Sequence, residues 1–248
     1  MKPNAVRVAM ARRGASLLVA FLSLAGPALA GDRALINFIG FSEDARYFAF
    51  EEFGIRDGSG FAYSSVYVVD LSTDSWVVGT PVRVEAIDEE RSLADVRDEA
   101  LEKSESHISS FGLNRPVEVV ALIGDGVADV EAKSLVFGTP GYLPWTVSGD
   151  YELSLSTFDT KSATPCKVWF DIEPLGYELM ISDQGAKRQV FRDLTLPRSR
   201  GCPFDYRLYG VIMPFQSSSL THAVAIISVY PGAFEGPDRR FLAVPLGL

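Results

Sequence analysis

The stretch Tyr151-Glu152-Leu153-Ser154-Leu155-Ser156 decides the fold. Tyr151, Leu153 and Leu155 face one way and Glu152, Ser154 and Ser156 the other, because successive side chains of an extended chain alternate across its pleat. This is the pattern of a half-buried strand. The same period of two recurs in Val168, Phe170 and Ile172 and in Tyr177, Leu179 and Ile181, which predicts two more. Behind the last of these, the turn Ser182-Asp183-Gln184-Gly185 leads into an apolar segment through Phe191 and Leu194, so the pair reads as a hairpin. Val66 to Val69 and Ala223 to Tyr230 are nearly continuous apolar runs rich in β-branched and aromatic residues, the pattern of central strands covered on both faces.

One helix interrupts the strands. Ser92 with Asp95 makes a start resembling a capping box, Leu93, Val96, Ala100, Ile108 and Phe111 fall on one side at helical spacing, and Gly112 supplies a stop. Its acidic residues, from Asp88 to Glu105, read as a solvated face, with docking of a basic partner as the alternative. Turns are marked by Arg56-Asp57-Gly58-Ser59-Gly60, by Gly138-Thr139-Pro140-Gly141 and by the glycines and prolines from Pro231 to Asp238. The expected fold is mainly β, with antiparallel sheets and one accessory amphipathic helix. About a dozen strands are too few for four full blades, so a sandwich is favoured over a small propeller.

The chain has 248 residues, and its first thirty read as a signal peptide. Lys2, Arg7, Arg12 and Arg13 form a basic head, Ala15 to Ala25 is an apolar stretch too short to span a bilayer, and Ala28-Leu29-Ala30 offers a cleavage site before Gly31. Arg12-Arg13 leaves twin-arginine export open beside the general route. Residues 31–248 are expected to form a single exported domain, periplasmic or secreted, with no membrane insertion after cleavage. Loss of four basic and no acidic residues with the leader takes the formal charge from −9 to −13. That disfavours nucleic acid and anionic membrane surfaces, whose phosphates would be repelled. Cys166 and Cys202, the only cysteines, read as a disulfide in an oxidising compartment. The rival is a reactive thiol beside Arg200 or Lys167.

Catalytic motifs are scarce. No Gly-x-Ser-x-Gly elbow exists, and Ser59 between Gly58 and Gly60 lacks the required strand-to-helix context. A triad would need His107, near the end of the acidic helix, or His222, at the entry to an apolar strand. Zinc spacing is missing, and Asp125, Asp129 and Glu131 lack the calcium-loop pattern although their oxygens suit a hard cation. No metal site and no cofactor is predicted.

Phe41-Ser42, Asp44, Arg46-Tyr47, Ala49-Phe50 and then Val66 to Leu71 with the turn Ser72-Thr73-Asp74 resemble one blade of the TolB-like or WD40-like propeller repeats, with Ala45 in place of the usual glycine. Pro197-Arg198-Ser199-Arg200-Gly201-Cys202-Pro203 with Tyr206, and Pro231-Gly232 through Ala243-Val244, together with the stretch from Phe41 to Gly54, resemble a bacterial family of predicted secreted proteins of unknown function. That resemblance implies export and a shared fold, and carries over no activity and no functional residues.

Two loops make the candidate site. Glu51, Glu52, Arg56 and Asp57 follow one strand, while Glu235, Asp238, Arg239 and Arg240 precede another, and aromatics (Phe53, Phe61, Tyr63; Tyr230, Phe234) accompany both. If the last strand lies near the first, the loops converge, and rings beside carboxylates and guanidinium groups suit a sugar, a peptide or a protein surface. The structural alternative is ion pairing of Arg239 or Arg240 with Glu235 or Asp238 to hold a glycine-rich turn. The expected function is a non-enzymatic exported protein binding an envelope protein partner or a polar ligand. An envelope hydrolase acting on carbohydrate or peptide through loop carboxylates is the alternative, and a purely structural protein the third.

Overall fold

Alternation at Tyr151 to Ser156 becomes part of β8 (Val147–Asp159), in which Leu153 and Leu155 are buried. The structure, a computed structural model, describes residues 31–125, 131–233 and 236–248; the signal segment, Asp129, Phe234 and Glu235 lie outside the described residues. Three antiparallel sheets account for most of it. The first is the meander β1 (Leu35–Phe41), β2 (Tyr47–Ile55), β3 (Ala62–Asp70) and β4 (Ser75–Trp76), with β5 (Val82–Glu85) also on β3. The middle sheet runs β13 (Arg240–Pro245), β12 (Val224–Pro231), β11 (Pro203–Pro214) and β6 (Val117–Leu122). In the third, β10 (Ala186–Arg192), β9 (Leu175–Asp183), β8 and β7 (Ser134–Pro140) follow in order.

The apolar runs explain the stacking. In β12, Val224 and Ile226 pack with Phe48, Phe50 and Tyr67 of the first sheet, while Ala225 and Ile227 pack with Leu153, Leu179 and Ile181 of the third. The middle sheet is therefore apolar on both faces, as Ala223 to Tyr230 demands. In β3 the same logic holds one layer out: Tyr67 and Val69 face the middle sheet, and Val66 and Val68 face the helix side. That helix, α1 (Leu93–Ser110), starts where the sequence says, with the Ser92 hydroxyl accepting from the Asp95 amide at 3.1 Å, and buries Val96, Ala100 and Ser104. Gly112, at φ 57°, follows its end.

The hairpin at Gln184-Gly185 is also present. Both residues have positive φ (49° and 88°), the two-residue turn whose twist matches the flanking strands.

Other expectations need correction. Val168 and Phe170 do not continue a strand: Cys166–Phe170 is a second helix, α2, with Val168 82% and Trp169 63% exposed. Both edges of β9 are already taken by β8 and β10, so β9 offers this segment no hydrogen-bonding edge. Gly138-Thr139-Pro140 belongs to β7 rather than to a loop, and a side chain at Gly138 would meet the Gly149 carbonyl at 2.8 Å. The blade resemblance does not extend to a propeller. Its residues do form the β1 to β4 meander, and Ala45 adopts the left-handed φ of 55° suited to glycine. The sheets, however, stack face to face and do not close into a barrel. Where the first and middle sheets touch at their margins, Phe41 pairs with Arg115 ahead of β6, and Arg33 with Arg239 ahead of β13.

Candidate functional site

Strand register builds the floor of the site. Glu52, Ser65 and Arg83 are direct cross-strand neighbours on β2, β3 and β5, and Gly54, Tyr63 and Glu85 form the next row. Opposed residues share a face of the sheet, and Tyr63 and Tyr67 show which face it is, since both pack toward the middle sheet. Val84, between Arg83 and Glu85, packs toward α1. The two rows thus look toward the middle sheet, and beside Phe241 and Leu242 a cavity of about 240 Å³ remains between them and the segment Arg198–Gly201. A second cavity of about 440 Å³ shares Trp76, Ser199, Arg200, Phe241 and Leu242 with it, so the two make one cleft.

Arg56, Asp57, Asp238 and Arg240 converge on Asp32, a residue outside the candidate set. Asp32 accepts from the Arg56 guanidinium at 2.5 Å, from the Asp57 amide at 2.9 Å and from Arg240 at 3.3 Å, while its own amide donates to Asp238 at 2.9 Å. Arg240 also bonds Asp238 at 3.0 Å and the Tyr63 hydroxyl at 3.0 Å, and Arg56 reaches Glu85 at 2.9 Å while lying 4.0 Å over the Tyr63 ring. Asp32 sits three residues before β1, outside any patterned segment. Its role is set by partners far away in the chain, Arg56, Asp57, Asp238 and Arg240, which no local spacing signals.

Glu51 and Glu52, expected in a loop after a strand, are instead inside β2. Alternation sends them to opposite faces. Glu51 lies on the α1 side, gripped by Arg97 at 2.9 and 2.7 Å and by the Ser64 hydroxyl at 2.9 Å. Glu52 lines the cleft with 2% exposure, accepting from the Tyr67 hydroxyl at 2.9 Å and from the Phe241 amide. Arg239 points away from the cleft, donating to the Ala34 carbonyl at 2.8 Å and pairing with Asp125.

Burial and pairing set the charge states. Burial pushes the Glu52 carboxyl up, against the pull of the Phe241 amide and Arg240. Asp32 is also partly buried, which would raise its pKa, but the hydrogen bonds from Arg56 and Asp57 and two nearby guanidinium charges bring it below the ordinary carboxylate value. Asp238 goes up through burial despite Arg240. Arg56 loses to burial and gains more from Glu85 and Asp32, so it stays firmly charged. On the opposite wall Arg200 pairs with Asp193 at 3.5 Å and bonds the Tyr206 hydroxyl at 3.4 Å, while burial moves the Tyr206 phenol up to about 12.

That wall is covalently tied. Cys166 and Cys202 form a disulfide with Cα atoms 5.4 Å apart, joining α2 to the end of the Arg198–Gly201 segment. Both are buried, and neither is a free thiol.

Among the described residues no group of acidic, histidine or cysteine side chains could hold a metal ion. Asp125 is engaged by Arg33 at 3.1 Å as well as by Arg239. His222 is exposed ahead of β12, and His107 lies in the last turn of α1. No helix among the described residues is long and apolar enough to cross a membrane.

The comparison with curated proteins returns no match. A family model described as "Predicted secreted protein (DUF2259)" matches residues 49–246, which take in α1, the middle and third sheets and the first sheet from within β2 onward, leaving out β1. The stretches around Arg198 and Arg240 that form two sides of the cleft fall inside that match, and the chain belongs to this family of predicted secreted proteins.

Proposed function

We propose that the chain is cut after Ala30, released into the periplasm or beyond the cell, and serves there as a non-enzymatic protein that holds a small polar ligand in the cleft beside β5. What carries the reading is convergence. Side chains of β2, β3, β5 and β13 and of the Arg198–Gly201 segment meet at one cavity, and a few polar groups aimed from separate elements beside aromatic rings are what orient a ligand. Trp76, Tyr63 and Tyr67 supply the rings, and Ser65, Arg83 and Arg198 the polar groups.

Hydrolysis through carboxylates has less support. Glu51 is committed to Arg97 on the far face, both oxygens of Glu52 accept hydrogen bonds, and Asp32, Asp238 and Glu85 are held in ion pairs. An acid and base pair needs groups free to exchange protons with substrate.

Native mass spectrometry of protein purified from the envelope tests the proposal. The expected species begins at Gly31 and carries the added mass of a small molecule, and a folded Ser65→Trp variant, whose indole fills the cleft, lacks that mass. Bare protein in both samples, a protein partner in place of the small molecule, or added mass surviving in the folded variant contradicts it.

A further inference from the structure

The smaller cavity of the cleft inverts the charge of the chain. A protein with nine more acidic than basic residues lines this one cavity with Arg56, Arg83, Arg198, Arg200 and Arg240 against only two carboxyls, Glu52 and Glu85. Three of the five guanidinium groups are committed: Arg56 to Asp32 and Glu85, Arg240 to Asp32 and Asp238, and Arg200 to Asp193. Arg83 and Arg198 have no carboxylate partner among the described residues. Both are exposed at the cavity, one on the sheet floor and one on the opposite wall.

Two cations facing one cavity repel each other, and the cost is recovered when an anion lies between them. A guanidinium group is the side chain best shaped for a planar oxyanion, because its parallel N–H groups match the two oxygens of a carboxylate. Both arginines stand on anchored backbone. The cross-strand row Glu52, Ser65, Arg83 fixes the backbone of the first, and the disulfide at Cys202 holds the backbone segment of the second, so what binding must order is the two side chains. Beside them Trp76 is 39% exposed, with its ring edge-on to Tyr67 at 5.2 Å. Its free surface suits the apolar face of a ring.

We infer that the ligand of this cleft is a ring-bearing carboxylate, the chemistry of an acidic sugar, with the carboxylate taken by Arg83 and Arg198 and the ring set against Trp76. The inference rests on the cleft being a ligand site, and its test separates the two claims. The chain has three tryptophans, so a Trp145→Phe/Trp169→Phe variant leaves Trp76 as the sole reporter; both replaced residues are exposed and away from the cleft. Its fluorescence is titrated with galacturonate, galactose and inorganic phosphate at low and high salt.

The expected result is a saturable change with galacturonate that weakens with salt and falls by about tenfold or more in Arg83→Ala and in Arg198→Ala, as loss of a charge-assisted hydrogen bond requires. Circular dichroism confirms that these surface variants fold. Arg83→Lys, which keeps the charge and loses the fork, should sit between. Galactose binding as well as galacturonate overturns the anion and leaves the cleft as a ligand site. Phosphate binding as well as galacturonate overturns the ring. Unchanged affinity in both alanine variants overturns the assigned residues. Silence of Trp76 toward all three probes overturns the inference, and bare protein in the native mass spectrum takes the cleft reading with it.

Discussion

Glu51 and Glu52 are neighbours in sequence, both buried to within 2% exposure, and their surroundings treat them in opposite ways. On the α1 face Glu51 meets Arg97 in a two-pronged pair at 2.9 and 2.7 Å. On the other face Glu52 receives a phenol and an amide but no guanidinium group, and burial pushes its pKa up. A strand with two covered faces therefore sets one carboxylate against a guanidinium group and urges the next toward its neutral form. What decides between them is the partner that the opposing layer supplies: a helix residue in one case, the backbone of β13 in the other.

Removing the cation should break the comparison most sharply. Arg97→Ala strands the Glu51 charge in a buried site and is expected to cost about 3 kcal/mol in chemical denaturation, whereas the double variant Arg97→Ala/Glu51→Gln recovers much of it. Asp32→Asn extends the test to a third carboxylate, one shared by two arginines, and should cost about 2 kcal/mol at neutral pH. Its pH dependence has a fixed sign. The folded pKa lies below the ordinary 3.8, so the wild-type stability due to this group is present above that value and drains away as the pH falls through the folded pKa; the variant should lose that part of the acid dependence.

Tyr67→Phe withdraws the hydroxyl donor from Glu52 and is expected to cost about 1 kcal/mol by thermal or chemical unfolding. Glu52→Gln should have the smallest effect, because the amide oxygen can accept from the Phe241 N–H while its NH2 donates to the Tyr67 hydroxyl, which turns from donor to acceptor, so two bonds persist without the charge. Here the sign reverses. A folded pKa above the ordinary 4.5 means that the wild type is favoured in acid and loses stability as pH rises through the folded value, so the variant should gain on it above pH 4.5. A glutamine variant less stable than wild type across that range would show that Glu52 is held as an ion after all.

Much of the layering was legible in the sequence. Alternation from Tyr151 to Ser156, the turn at Gln184-Gly185, the cap at Ser92 and the doubly covered runs at Val66 and Ala223 all appear as read, since each depends on local periodicity or on burial from two sides. Cys166–Phe170 misled because apolar alternation over five residues fits a short exposed helix as well as a strand, and only the neighbours of β9 decide. Of the candidate site, Arg56 does lie near Asp238 and Arg240, although the first and last strands belong to different sheets and their ends touch at the Arg33–Arg239 bridge. Neither Asp32, which joins them, nor Arg83, placed beside Ser65 by the register of β5, was legible. Register across three strands is a long-range property, and no spacing within one segment encodes it.

The most direct test follows the arginine side chains themselves. In an NMR titration of the mature protein with galacturonate, the Nε–H signals of Arg83 and Arg198 should shift together and saturate while that of Arg97, bound to Glu51 on the far face, stays in place. Shifts spread evenly over the arginines, or centred on Arg97, would contradict a ligand site in the cleft.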